Sequence, residues 1–152
     1  MTTPSPPTRS PAPFENTPPS VLAIACLDGR FFPHVAGFLR GFGAGVDALM
    51  VPGGVGSLTP ARCGDPAGEA LDLGHVETMV DLHPIDTIVL VGHADCGFYA
   101  LQMPEASPEA RFAAQREDLV AFEDALRARY PAVDVQRWYA FTRGSEVVFD
   151  RP

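Results

Sequence analysis

Three short stretches of the chain carry residue types that can do chemistry together. Cys26-Leu27-Asp28-Gly29-Arg30 holds a thiol, a carboxylate and a guanidinium in close succession. Gly92-His93-Ala94-Asp95-Cys96-Gly97 adds an imidazole and a second thiol. Its His-x-x-Cys spacing sets two donors about one turn apart, close enough to chelate a single ion. Between them, Pro52-Gly53-Gly54 is a turn with small residues. Two thiols and an imidazole form the donor set of a zinc site of catalytic type: three protein ligands, with a fourth position left for water or another ligand. Zinc favours thiolate over thiol, so both cysteines would bind deprotonated.

Each piece has an ordinary reading when taken alone. A cysteine at a strand end is commonly a small buried apolar side chain. A histidine there can simply satisfy backbone groups. An aspartate two residues from an arginine is commonly a weak surface pair. Only their convergence makes a site, so the elements that position them decide the matter.

Those elements read as an alternation. Val21 to Ala25 is a continuous apolar run, as in a strand buried on both faces. A helical stretch follows at Phe31 to Leu39, ended by Gly41-Phe42-Gly43, and Asp47 to Val51 is a second strand. Residues 55–68 read as loop, and a helix is expected from Ala67 to His83, with Leu73, Val76, Val80 and His83 on one stripe. Thr87 to Val91 is the third strand. Ser107-Pro108-Glu109 opens a helix that runs to Tyr130, with Leu119, Phe122, Leu126 and Tyr130 on one face. Val135 to Phe141 and Glu146 to Phe149 finish as strands around Thr142-Arg143-Gly144. Strands alternating with helices predict an α/β fold with a central, mostly parallel sheet. Ligands of such sheets sit beyond the carboxyl ends of the strands, where all three stretches fall.

Composition narrows the class. At 152 residues, with 46% apolar and 20% charged, the chain has the size and make-up of one globular domain. Residues 1–20 contain seven prolines and are expected to be a disordered tail; residues 21–152 are read as the single domain. The net charge of −8 argues against nucleic-acid phosphate binding. All 11 basic residues are arginine, which excludes lysine Schiff-base chemistry and a P-loop lysine. Three cysteines make no disulfide framework, and no apolar run reaches the length of a membrane span. A cytoplasmic protein is expected, with no nucleic-acid or membrane partner. Cys63 has no metal-like spacing and reads as a spare thiol. Any of His34, His75 and His83 could move protons.

Cys-x-Asp-x-Arg followed by His-x-x-Cys-Gly resembles the β-class carbonic anhydrases, over Val21 to about Tyr99. A short branch of that family shows a similar Gly-Gly turn and His-x-Asp-Cys-Gly segment. The resemblance implies a Rossmann-like three-layer fold and zinc held by Cys26, His93 and Cys96. It further implies reversible hydration of CO2 to bicarbonate by zinc-bound hydroxide, in a homodimer or higher homo-oligomer. Asp28 and Arg30 match a catalytic dyad: Asp28 would accept a hydrogen bond from the hydroxide, and Arg30 would keep Asp28 ionised. In some members this aspartate leaves the arginine for zinc's fourth site; Asp28 is expected to be able to do the same, giving low activity at low pH.

For Gly53, Gly54 and Gly97 two readings stand side by side: turns that need glycine, or backbone facing a bound anion. Asp95 could fix the His93 ring or face solvent. The chain departs from the larger family at the end of its second strand, where Val51-Pro52-Gly53-Gly54 replaces Arg-Asn-Ala-Gly, and its proline-rich tail replaces the N-terminal helices. Two other readings therefore stand beside the hydratase: the same metal centre acting on carbonyl sulfide or carbon disulfide, or zinc serving the fold alone. A structural site has no need of the Asp28–Arg30 pair, and it closes its fourth vertex with protein.

Overall fold

The continuous apolar run at the start of the domain is a central strand. In the computed structural model, which describes residues 9–10, 12–43, 45–64 and 66–152, β1 (Val21–Cys26) is buried at every position. The side chains of residues 61, 63 and 66–72 lie outside the description, Cys63 among them. Part of the proline-rich tail is also outside it; its described residues form neither helix nor strand.

After β1 come α1 (Phe32–Leu39), β2 (Val46–Val51), α2 (Pro60–Cys63), α3 (Pro66–Leu82) and β3 (Thr87–His93). The chain continues through α4 (Gly97–Gln102), α5 (Pro108–Arg129), β4 (Asp134–Arg143) and β5 (Glu146–Asp150). The strands form one sheet in the order β2-β1-β3-β4-β5, parallel except for the final hairpin strand β5. The expected mostly parallel α/β sheet is therefore observed, with five strands.

Alternation along β1 divides the core. Leu22 and Ile24, with Ile88 and Leu90 of β3, pack with Val76 of α3 and with Leu119, Phe122 and Leu126 of α5. Val21, Ala23 and Ala25, with Val89 and Val91, pack on the other face with Val35 and Leu39 of α1. Helices on both faces explain why the central strands are apolar without alternation. The expected stripes on α3 and α5 lie in the first of these clusters, Tyr130 included, except for His83, which falls just past the end of α3. Ser107 caps α5, its hydroxyl accepting from the Ala110 N–H at 3.2 Å.

Residues 55–68, expected as loop, are mostly helical: a 3₁₀ turn over Gly54–Leu58 leads into α2, and α3 begins at Pro66. Val55 and Leu58, three residues apart, are buried by that turn. A signal of two apolar residues among glycines and prolines is too short to register as periodicity. His83 bonds Asp47 at 2.6 Å, at the end of the sheet where β2 and β3 begin. That placement is remote from the strand ends and removes His83 as a proton carrier for a site there. No helix among the described residues is long and apolar enough to cross a membrane.

Candidate metal centre

The sheet order puts the chain's reversal between β1 and β3: the chain leaves β1 for β2 on one side, then crosses back to β3 on the other. A crevice opens at such a switch point, beyond the carboxyl ends of the strands. Register pairs Ala25 with Val91, so Cys26 and His93 end neighbouring strands. His93 lies inside β3, which runs two residues past the expected end at Val91. Cys96 follows as the residue preceding α4. Cys26, His93 and Cys96 are 8%, 3% and 5% exposed, and their ligand atoms lie within 4.8 Å of one another.

The donor set fits a metal on several grounds. The two sulfurs are 3.9 Å apart, and thiolates bound tetrahedrally at 2.3 Å to one zinc stand about 3.8 Å apart. His93 Nδ1 lies 2.7 Å from the Ala94 carbonyl oxygen, which fixes the proton there and leaves Nε2 as a bare lone pair. Among the described residues Nε2 is buried without a hydrogen-bond partner, a costly state that a metal ligand resolves. Asp95 does not orient the ring through its side chain; the Ala94 carbonyl does so.

The Gly53 backbone N–H donates to the Cys26 sulfur at 3.3 Å. The backbone amide of Asp28 near Cys26, and those of Phe98 and Tyr99 near Cys96, favour the thiolate at each sulfur. The Cys96 thiol also donates to Cys26, which drives the Cys26 thiol far below its usual range, while accepting that role raises Cys96. With one proton between them, Cys26 is the thiolate. A metal ion would displace that remaining proton.

Asp28 stands beside the cluster, held by Arg30. Its Oδ1 accepts from the Arg30 backbone N–H at 2.9 Å and from Nε at 3.1 Å; its Oδ2 accepts from Nη2 at 2.7 Å. These bonds push the Asp28 carboxyl down to about 2 and raise the guanidinium. Arg30 is 63% exposed and Asp28 17%, so the carboxylate is the sheltered member of the pair. Arg30 Nη2 also donates to the Asp95 carbonyl at 3.0 Å. Asp95 reaches that position through φ +53°, an unusual conformation for a residue with a side chain. The arginine thus ties the first motif to the second. The carboxylate here sits on Arg30.

The glycines divide. Gly53 and Gly54 have φ of +77° and +56°, so the turn reading is right for both. A Cβ on Gly53 would run into the Phe98 ring, and Gly54 lies against the backbone at Cys26. Gly97 has neither positive φ nor any close neighbour, so the turn reading fails there. Gly53→Ala is expected to lower zinc affinity about ten- to a hundredfold, the range for groups that support a ligand from behind. Competition against a chromophoric chelator measures it; unchanged affinity would mean the Gly53 N–H contributes nothing.

A cavity of about 210 Å³ opens over the cluster, lined by Arg30, His93, Cys96, Gln115 and Tyr139 among others. Burial pushes the Tyr139 hydroxyl up to about 12. Phe31 covers the His93 ring at 4.5 Å. Behind the cavity, Tyr99 donates to Asp118 at 2.7 Å, and Arg62 donates to the same oxygen at 3.0 Å. Burial, then the Asp118 bond, raises the Tyr99 phenol strongly. Sequence reasoning missed Gln115, Asp118, Arg62 and Tyr139. A signal existed for two of them: Gln115 and Asp118 continue the spacing of Leu119, Phe122 and Leu126 toward the start of α5, polar residues on a buried face.

No protein-family model matches the chain, and no curated protein sequence does either. Solved structures do. A β-carbonic anhydrase of the fungus Sordaria macrospora, described as tetrameric, aligns at TM-score 0.56 and 15% identity, over 88% of this chain and 81% of its own. The carbonic anhydrase of Streptococcus mutans aligns at 0.56 and 18%, over 92% and 87%. The β-carbonic anhydrase isoform I of the protozoan Trichomonas vaginalis aligns at 0.55 and 12%, over 91% and 86%. The fold is that of the β-carbonic anhydrases. The likeness covers most of the chain, well beyond the Val21–Tyr99 stretch that carries the motifs. Within the β-carbonic anhydrase fold, the Cys26, His93 and Cys96 group is a buried set suited to a metal.

Proposed function

We propose that the chain is a zinc-dependent carbonic anhydrase that hydrates CO2 reversibly to bicarbonate. The observation that carries the reading is a buried Cys-His-Cys set, supplying three donors among the described residues, beside an ionised Asp28–Arg30 pair. A structural zinc site takes four protein ligands and has no use for such a pair.

Cys26 Sγ, His93 Nε2 and Cys96 Sγ would hold the ion. A zinc ion so held would supply the Lewis acidity that makes a bound water nucleophilic near neutral pH. Asp28 would accept that water's O–H hydrogen bond and so turn a lone pair toward the substrate carbon. Arg30 keeps Asp28 in one orientation and ionised, because its guanidinium bonds both carboxylate oxygens. The Ala94 carbonyl holds the His93 proton at Nδ1, away from the metal side. Phe31 excludes water from the imidazole face.

The polar cavity supports CO2 and bicarbonate over carbon disulfide or carbonyl sulfide, whose passage would favour an apolar wall. Arg30, Gln115 and Tyr139 all front it. Assembly into a homo-oligomer belongs to the same proposal. The Sordaria proteins are described as tetrameric, and exposed Leu27, Phe32 and Leu101 lie within a few residues of the ligand motifs.

Stopped-flow CO2 hydration near pH 8.5, on protein with quantified zinc, tests the proposal. The expected result is a rate above buffer that rises in proportion to bound zinc. A full complement of zinc with no rate above buffer would overturn it.

A further inference from the structure

Gln115 lies on α5, 22 residues beyond His93, yet its side chain reaches the end of β3. Its Oε1 accepts from the His93 backbone N–H at 2.9 Å. An N–H can only donate, so this bond fixes the amide's orientation and turns Nε2, the NH2 end, the other way. Gly92 makes the approach possible: a Cβ there would stand 2.5 Å from Gln115 Oε1 and 3.1 Å from the Tyr139 ring. Gln115 is 3% exposed and lines the cavity over the metal donors. Among the described residues only His93 Nε2 is a fully buried side-chain polar atom without a partner, so the Gln115 NH2 end keeps contact with the cavity it lines. Its hydrogens are there for water or for an acceptor that replaces that water.

The cavity's other fittings define that partner. Arg30 fronts it with a cation, and Tyr139 lines it with a phenol that burial holds in the neutral, proton-bearing form. Arg111 fronts it too; two of its nitrogens are already spent on the carbonyls of Met103 and Pro104. Asp95 is the one carboxylate among the lining residues, and its backbone carbonyl is taken by Arg30. Arg30 is likewise committed at Nε and Nη2 to Asp28 and the Asp95 carbonyl, but two guanidiniums against one carboxylate, with the Gln115 amide and the Tyr139 phenol beside them, make a lining that suits a small oxyanion.

We propose that Gln115 is a substrate-binding residue, its Nε2 amide donating a hydrogen bond to an oxygen of bicarbonate, and of CO2 as it becomes bicarbonate. The inference rests on the carbonic anhydrase reading for its substrate. For its geometry it rests only on the Gln115–His93 bond and the cavity. One side chain then does two things: the oxygen end locks the strand that carries a metal ligand, and the nitrogen end reads the substrate.

Gln115→Glu separates the two roles. It keeps an oxygen for the His93 N–H and replaces the NH2 donor with a second acceptor, ionised at pH 8.5. Gln115→Met removes both ends without adding charge. Zinc-loaded wild type and both variants are titrated with bicarbonate by calorimetry at pH 8.5, and kcat and KM for CO2 hydration are measured on the same samples. The expected result is full zinc in Gln115→Glu with bicarbonate affinity down at least about tenfold, the scale of a lost hydrogen bond to a charged group. Gln115→Met is expected to lose about as much. Either variant holding its zinc and binding bicarbonate within about twofold of wild type would overturn the proposal, since lost donors to an anion cost more than that. Wild type that binds bicarbonate through Gln115 but does not hydrate CO2 would keep this residue's role and sink the hydratase reading. Wild type that hydrates CO2 with unchanged kcat and KM in Gln115→Glu would do the reverse.

Discussion

Cys26→Ser is expected to lower zinc affinity by more than about a hundredfold, because even the partners behind a ligand account for ten- to a hundredfold. CO2 hydration should fall with it to the buffer rate. The substitution removes the donor that the site stabilises most as an anion, since the Cys96 thiol and the Gly53 N–H both donate to its sulfur. A serine hydroxyl has no comparable tendency to ionise, so the same donors would surround a neutral oxygen. The variant should still fold. The two large buried clusters lie along the sheet faces, and Cys26 belongs to a smaller group at the strand ends with Cys96, Tyr99 and Ala114. Metal analysis and far-UV circular dichroism on one sample check both halves. A folded variant with wild-type zinc content would remove Cys26 from the ligand set.

Asp28→Asn is expected to do something different: zinc stays and kcat falls about a hundredfold or more, the scale of a positioned group that handles a proton in the transition state. The backbone around Cys26, with the Gly53 N–H that bonds its sulfur, is untouched by this change, so the three donors keep their surroundings. What is lost is the anionic acceptor. An asparagine side chain keeps one oxygen, which Arg30 would claim, and presents an NH2 where the water's hydrogen needs an acceptor. The charge state of Asp28 is also predictable. Arg30's hydrogen bonds hold its carboxyl at about 2, below the ordinary value near 3.9. A depressed value stabilises the folded pair at all pH above the ordinary range, and that contribution disappears only as pH falls toward about 2. Titration of the Asp28 carboxyl itself should therefore produce no limb in the activity profile between about pH 5 and 9. Zinc content and a kcat profile over that interval test the assignment. Zinc-replete Asp28→Asn turning over at the wild-type rate would exclude a role in the chemistry.

These two substitutions separate holding the metal from using it. They also show why the motif pair was legible from the residues. Cys26 and His93 sit at strand ends because Val21–Ala25 and Thr87–Val91 are apolar without interruption and can only be central strands between helical layers. His-x-x-Cys sets its own local geometry, and Asp28 and Arg30 are near enough in sequence to pair without help from the fold. The turn at Gly53 and Gly54 was legible for a related reason: positive φ is a property of the residue type.

Long-range partners were a different matter. Gln115 meets His93, Tyr99 meets Asp118, and Arg62 crosses from α2 to α5 to share that carboxylate. Nothing local marks such pairs; at most, a polar residue on a buried helix face signals that some partner exists. The supposed role of Asp95 in orienting His93 went instead to the Ala94 carbonyl, because Asp95 adopts positive φ and aims its own carbonyl at Arg30.

The sequence by itself determined the strand–helix alternation, the Cys26, His93 and Cys96 group, the carboxylate–guanidinium pair and the two glycines of the turn. Each follows from residue type and short-range spacing, where chain connectivity already limits geometry to a few possibilities. Tertiary structure alone decided the strand order that brings Cys26 to His93, the cavity above them, and the α5 side chains that furnish it. Those depend on which distant surfaces exclude water from each other, and burial of that kind is a property of the whole chain rather than of any segment.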